Sequence, residues 1–172
     1  MFHRLGFLLF CGSLVLGMPA QAASTKRLSA EEKDRFVAVR VFMGEKEQKK
    51  WLKLKTQEER DEWLKQQGYW DRFYQFDEDT REKIVAGEVD VGWEQDALLM
   101  AWGMPHQRKR LTGRPATRSE MFVYRFEVDL EGYVTVWKTK SKTAHRAMKL
   151  YQVDVVLDDA RVSELRRKDR WD

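Results

Sequence analysis

Side chains suited to acid–base or metal chemistry are few in this chain. It has three histidines, His3, His106 and His145, and one cysteine, Cys11. His106 lies in a basic stretch and His145 precedes Arg146. Neither has a second metal-ligand type at a useful spacing, which favours surface positions over metal binding or proton transfer. We therefore expect no metal site, no cofactor and no histidine base.

Paired carboxylates could in principle act as a glycosidase-like acid and base. The pairs in this sequence are Glu58 and Glu59, Asp77 and Asp79, and Asp158 and Asp159. Two of them stand where helices begin and the third stands in a turn, so structure accounts for all of them. Ser119 and Ser141 lie in polar loops without the strand–turn–helix context of a nucleophile. The sequence predicts a protein that is not an enzyme.

Positive charge is concentrated between residues 106 and 149, which hold eleven basic and four acidic residues. Such a stripe attracts anionic partners. The alternative is a solvated face that keeps the protein soluble. The candidate surface for an anionic partner consists of Arg108, Lys109, Arg110, Lys138, Lys140 and Lys142.

The N-terminus has the pattern of an export signal. His3 and Arg4 precede an apolar run over residues 5–17, which is too short to span a bilayer comfortably. Small residues at Ala20 and Ala22 then predict a signal peptide over residues 1–22, and a retained membrane anchor is the alternative. Cys11 would be lost on cleavage. We expect an exported protein, periplasmic or peripherally attached to the outer membrane, with no nucleic-acid partner.

Helix caps divide the first half of the exported chain. Capping boxes are predicted at Ser29 with Glu32 and at Thr56 with Glu59. Four helices are predicted, which end at Gly44, Gly68, Gly87 and Gly103. Asp77 caps the N-terminus of the third helix. The fourth helix starts near Trp93, and Pro105 prevents its continuation.

An aromatic cluster lies between the second and third predicted helices, at Tyr69, Trp70, Phe73, Tyr74 and Phe76. Large aromatic side chains bury more area per residue than other types. We expect core or interdomain packing here, and ligand contact is the alternative.

Beyond Pro105 the apolar period changes from helix to strand. Phe122, Tyr124 and Phe126 alternate with more polar residues, and Gly132 turns the chain into a strand over residues 134–139. A final hairpin covers residues 151–165. The pattern predicts an α+β fold with helices on one sheet face. The predicted units are a helical N-terminal region over residues 23–76, an α+β domain over 77–168 and a tail over 169–172.

Several short motifs occur in a telling order: Gly92-Trp93, Ala97-Leu98-Leu99, Gly103-x-Pro105, Phe122-x-Tyr124 and the hairpin VDVVLDDARVSEL. Over roughly residues 80–167 the chain resembles the BamE (SmpA/OmlA) family of outer-membrane assembly lipoproteins. The resemblance implies two short helices packed on a three- to four-stranded antiparallel sheet. The positions that carry this fold motif are Gly87, Gly92, Trp93, Gly103, Pro105, Phe122 and Tyr124.

Two differences from that family bear on function. The exported chain would have no cysteine to acylate, and the helices before Asp77 have no family counterpart. We expect a non-enzymatic cell-envelope interaction module, a scaffold or accessory in outer-membrane assembly or integrity, with envelope proteins as partners. One alternative is a basic-surface module for anionic lipid or cell-wall glycan. Another is an inhibitor of a secreted enzyme.

Overall fold

The computed structural model describes residues 27–137 and 147–171. Within these ranges six α-helices precede five strands, which confirms the predicted α+β class. The helices are α1 (Ala30–Val39), α2 (Glu45–Lys53), α3 (Gln57–Gln66), α4 (Tyr69–Tyr74), α5 (Glu78–Ala86) and α6 (Gln95–Trp102). The strands are β1 (Gln107–Leu111), β2 (Ser119–Val128), β3 (Val134–Val136), β4 (Lys149–Asp158) and β5 (Arg161–Lys168). The predicted signal peptide lies outside the described residues.

Both predicted capping boxes are present. Ser29 Oγ accepts from the Glu32 N–H at 3.2 Å, and Thr56 Oγ1 accepts from the Glu59 N–H at the same distance. Gly44, however, does not end a helix as predicted. A 3₁₀ turn, Arg40–Phe42, continues α1, and Gly44 is the N-cap of α2, with its N–H donating to Glu47. The φ of Gly44 is −67°, a value that any residue adopts. The residue type alone therefore did not show that Gly44 begins a helix and does not end one.

Helix α6 lies between two hydrophobic clusters. Ala97 and Met100 pack with the N-terminal helices, whereas Leu98, Leu99 and Ala101 pack with the sheet. All five are buried. A helix that is apolar all round is a buried helix rather than an amphipathic surface one. The N-terminal helices and the α+β portion therefore share α6 at their junction.

The sheet is antiparallel, with strand order β1-β2-β4-β5, and β3 pairs with β2 beyond the end of β1. Five strands replace the predicted three or four, because the polar QRKRL segment forms an edge strand without apolar alternation. A two-residue turn joins β4 to β5, with positive φ at Asp159 and Ala160. Such a turn matches the twist of a hairpin.

One sheet face packs on the helices through Phe122, Tyr124 and Val155, each fully buried. On the opposite face, Val123 and Val156 are also buried. None of the helices in the described ranges has the length and apolar character needed to cross a bilayer.

Candidate functional site

The first part of the fold motif joins the loop before α6 to β5. Gly92 N–H donates to Val162 O at 2.7 Å, and Val162 N–H donates back to Trp93 O at 2.8 Å. The Trp93 side chain contacts both hydrophobic clusters. Gly92 has φ of 93°, a conformation that glycine adopts without strain. These motif residues thus attach α6 to the sheet.

The second part of the motif joins the end of α6 to β2 and the end of α5 to α6. Tyr124 OH donates to Gly103 O at 3.0 Å, and Trp102 Nε1 donates to Gly87 O at 2.7 Å. Pro105 follows, and Phe122 lies in the helix–sheet cluster. The motif positions fill structural roles at this junction.

The catalytic-type residues also have structural partners. Ser119 Oγ donates to Asp158 Oδ1 at 2.5 Å, and Arg114 Nη2 donates to Asp158 Oδ2 at 2.6 Å. Hydrogen bonds from Arg114 and Ser119 hold the Asp158 pKa well below its usual range. A carboxylate stabilised in its charged form is a weak base, so this pair is not an activated nucleophile.

His106, predicted to be a surface residue, is half-buried. Its ring lies 5.2 Å from the Trp137 ring, and its Nδ1 is buried with no hydrogen-bond partner among the described residues. Burial, and secondarily the charge of Arg125, lowers the His106 pKa. His145 and Ser141 lie outside the described residues.

The candidate basic surface is only partly described, because Lys138, Lys140 and Lys142 fall outside the described ranges. Arg108, Lys109 and Arg110 are exposed on the edge strand β1. They do not form one stripe, because side chains alternate along a strand. Arg108 stacks over Phe122 on the helix side, at 4.5 Å, and Lys109 takes the opposite side. Charges on an edge strand also oppose pairing with other sheets.

A groove of about 850 Å³ runs between the helices and one end of the sheet. Helices α1, α4 and α5 line one side, and β2, the β2–β3 turn and β4 line the other. Its volume falls within the range of about 300–1,000 Å³ that is usual for ligand sites. We call this feature the acidic groove, after its carboxylates Glu31, Asp34, Glu78, Glu82 and Glu88.

The carboxylates of the acidic groove are exposed and form its rim. Glu31 accepts hydrogen bonds from Arg35 and Tyr74, at 2.9 and 3.2 Å. The other four rim carboxylates form no salt bridge with any residue of the described ranges. Partial burial raises the pKa of one of them, Asp34. Arg81, the basic residue of the lining, donates to Phe76 O. The rim therefore has an excess of negative charge.

The floor of the acidic groove is aromatic, formed by Phe73, Tyr74, Trp102, Phe126 and Tyr151. The Phe126 and Tyr151 rings stack at 4.7 Å, and Trp102 meets Phe126 edge-on at 5.1 Å. Phe73 and Phe126 are buried, and the other three rings are half-buried. Aromatic faces attract both apolar groups and cations.

This arrangement suits a cationic partner that also has apolar side chains. Rim carboxylates can pair with lysine or arginine, and the floor rings can pack against their aliphatic stems where Arg81 over Tyr74 and Arg167 over Tyr151 leave a ring uncovered. The predicted aromatic cluster accordingly has two uses. Phe73 belongs to the helical core, and Tyr74 also lines the groove.

Sequence reasoning missed the groove because its residues span positions 31 to 151. One signal was present. Glu78 and Glu82 stand four apart on α5, and like charges at that spacing destabilise an isolated helix. Glu78 lies in the first turn of α5, where the helix dipole stabilises a negative charge. Glu82 lies beyond that turn, so the dipole does not account for it.

Comparison of the chain with protein-family models gave no match, and searches of curated proteins and of solved structures gave no significant match either.

Proposed function

We propose that this chain is a non-catalytic interaction module of the cell envelope, and that its acidic groove binds a basic segment of an envelope protein. One observation carries the proposal. Four carboxylates that form no salt bridge with a described residue line the helix side of an aromatic floor, in a groove large enough for several side chains. Charge complementarity of this kind steers encounter and selects partners.

The envelope location rests on the export pattern of residues 1–22. The resemblance to the BamE family favours a scaffold or accessory role in outer-membrane assembly or integrity. A non-catalytic role is supported by the structural partners of Ser119 and Asp158.

The experiment compares cross-linked complexes of three versions of the chain in intact cells. The rim variant carries Glu78→Gln, Glu82→Gln and Glu88→Gln, all at exposed groove positions. The matched control carries Glu58→Gln, Glu62→Gln and Asp169→Asn, which are exposed outside the groove and remove the same charge. We expect a discrete protein complex in the wild type and the control and about tenfold less of it in the rim variant, as for loss of key charged contacts. Equal recovery from all three would contradict the proposal.

A second candidate function is binding to anionic lipid or glycan through β1. It is favoured by the exposure of Arg108, Lys109 and Arg110, which form no salt bridge with described residues. Vesicles of anionic lipid separate the two functions. Neutralising β1 would abolish a salt-sensitive vesicle association and leave the protein complex intact.

A further inference from the structure

A second cavity, of about 460 Å³, lies where the N-terminal helices meet the end of α6. One wall comes from α1, the 3₁₀ turn and the start of α2. The opposite wall comes from α6, the segment after it and β3. We call it the Arg40 cavity, because Arg40 is the basic residue with a permanent charge on its described walls.

Arg40 differs from Arg35 and Arg60, the buried arginines of the helical region. Arg35 pairs with Asp61, and Arg60 pairs with Glu32. The half-buried Arg40 guanidinium makes no salt bridge or side-chain hydrogen bond with a described residue. Burial lowers the Arg40 pKa, and no carboxylate of the described residues pairs with the guanidinium. Removing a charge from water is costly unless it is paired, so a half-buried guanidinium without a described partner favours the binding of an anion.

The remaining walls are mainly apolar, with Val37, Leu99, Met100 and Val136 among them. Trp137 adds an aromatic side chain, and the unpartnered Nδ1 of His106 belongs to the same lining. Glu45 is the carboxylate on the described walls, and it is exposed in the first turn of α2, where the helix dipole stabilises it. The cavity thus combines an unpaired cation with an apolar interior.

We propose that the Arg40 cavity binds an anion with an apolar tail, with the Arg40 guanidinium paired to the headgroup and the tail held by the apolar walls. A planar guanidinium matches both carboxylate and phosphate in a two-bond arrangement. The shared chemistry is therefore a carboxylate or phosphate on an alkyl chain. This site is independent of the acidic groove, whose rim repels anions.

The first test uses the wild-type full chain and three dodecyl compounds in calorimetric titrations, below the concentrations at which they aggregate. Dodecanoate supplies the carboxylate, dodecyl phosphate the phosphate, and dodecanol the same tail without charge. We expect the preferred anion to bind about ten- to a hundredfold more tightly than dodecanol, as for a charge-assisted hydrogen-bonded pair. The tighter of the two anions identifies the headgroup. Equal affinity for dodecanol and both anions would overturn the proposal.

The second test assigns the binding to Arg40. Arg40→Met retains an unbranched side chain and removes the charge, whereas the control Lys49→Met removes an exposed charge on α2. We expect Arg40→Met to lose the preference for the anion over dodecanol and to bind dodecanol as the wild type does. Lys49→Met should keep the preference. Dodecanol binding also reports that the variant is folded, so an anion preference unchanged in Arg40→Met would overturn the assignment.

Discussion

At the residue scale, the N-terminal helices are tied together by buried ion pairs. Arg60 Nε lies 2.6 Å from Glu32 Oε1, and both side chains are almost wholly buried. Arg60 also donates to Leu54 O at 2.9 Å, and Arg35 lies over the Trp70 ring at 4.3 Å. Buried ion pairs contribute little to folding stability compared with apolar residues of similar volume. Removing one member of a pair, however, leaves a buried charge without a partner.

Arg60→Met should destabilise the fold for this reason. Glu32 would remain buried without its cation, which typically costs about 3–5 kcal/mol of unfolding free energy. Chemical denaturation measures the loss. Arg110→Met, the same change at an exposed site of β1, should cost less than about 0.5 kcal/mol. Similar losses in the two variants would show that the pair has no special role.

The hairpin carboxylate Asp158 predicts a pH effect. Arg114 lowers its pKa from the ordinary 3.8, so its stabilising contribution is present above pH 3.8 and is lost as the pH falls through the folded-state value. Asp158→Asn should therefore melt below the wild type at pH 7, with a difference that shrinks under acid conditions. Thermal melting at several pH values measures this. A difference that stays constant below pH 3.8 would refute the linkage.

At the element scale, caps and turns were the most predictable features. Ser29, Thr56 and Asp77 satisfy backbone N–H groups at the positions that their types indicate. Gly44 was misassigned because a glycine can cap either end of a helix, and only the backbone angles distinguish the two. β1 was missed because an edge strand needs no apolar face, so its residues lack the alternation that marks other strands.

A comparison of Gly103 with Gly44 tests whether the backbone angles decide where glycine is required. It has φ of 76° and ψ of −161°, a region that is open essentially to glycine alone. A Cβ there would meet no atom within 4 Å, so the cost of Gly103→Ala is conformational, about 1–3 kcal/mol. Gly44→Ser, at ordinary φ, should leave stability unchanged or slightly higher. Equal denaturation midpoints for both variants would contradict the argument.

At the scale of the whole molecule, the sequence indicated the α+β class but not the binding features. Periodicity revealed helices and strands because each buries one face on a neighbour. The acidic groove and the Arg40 cavity each combine residues from distant elements, and their shape depends on how α6 is held between two clusters. Such placement follows from tertiary packing, which local patterns do not contain.

Site-specific photo-cross-linking in cells shows whether the acidic groove holds a partner protein. A benzophenone side chain is placed at Ala86, an exposed groove position, and separately at Lys109 on β1. We expect a discrete protein adduct from Ala86 that disappears when Glu78, Glu82 and Glu88 are changed to glutamine. No adduct from Ala86, or one that persists in that rim variant, would contradict the proposal.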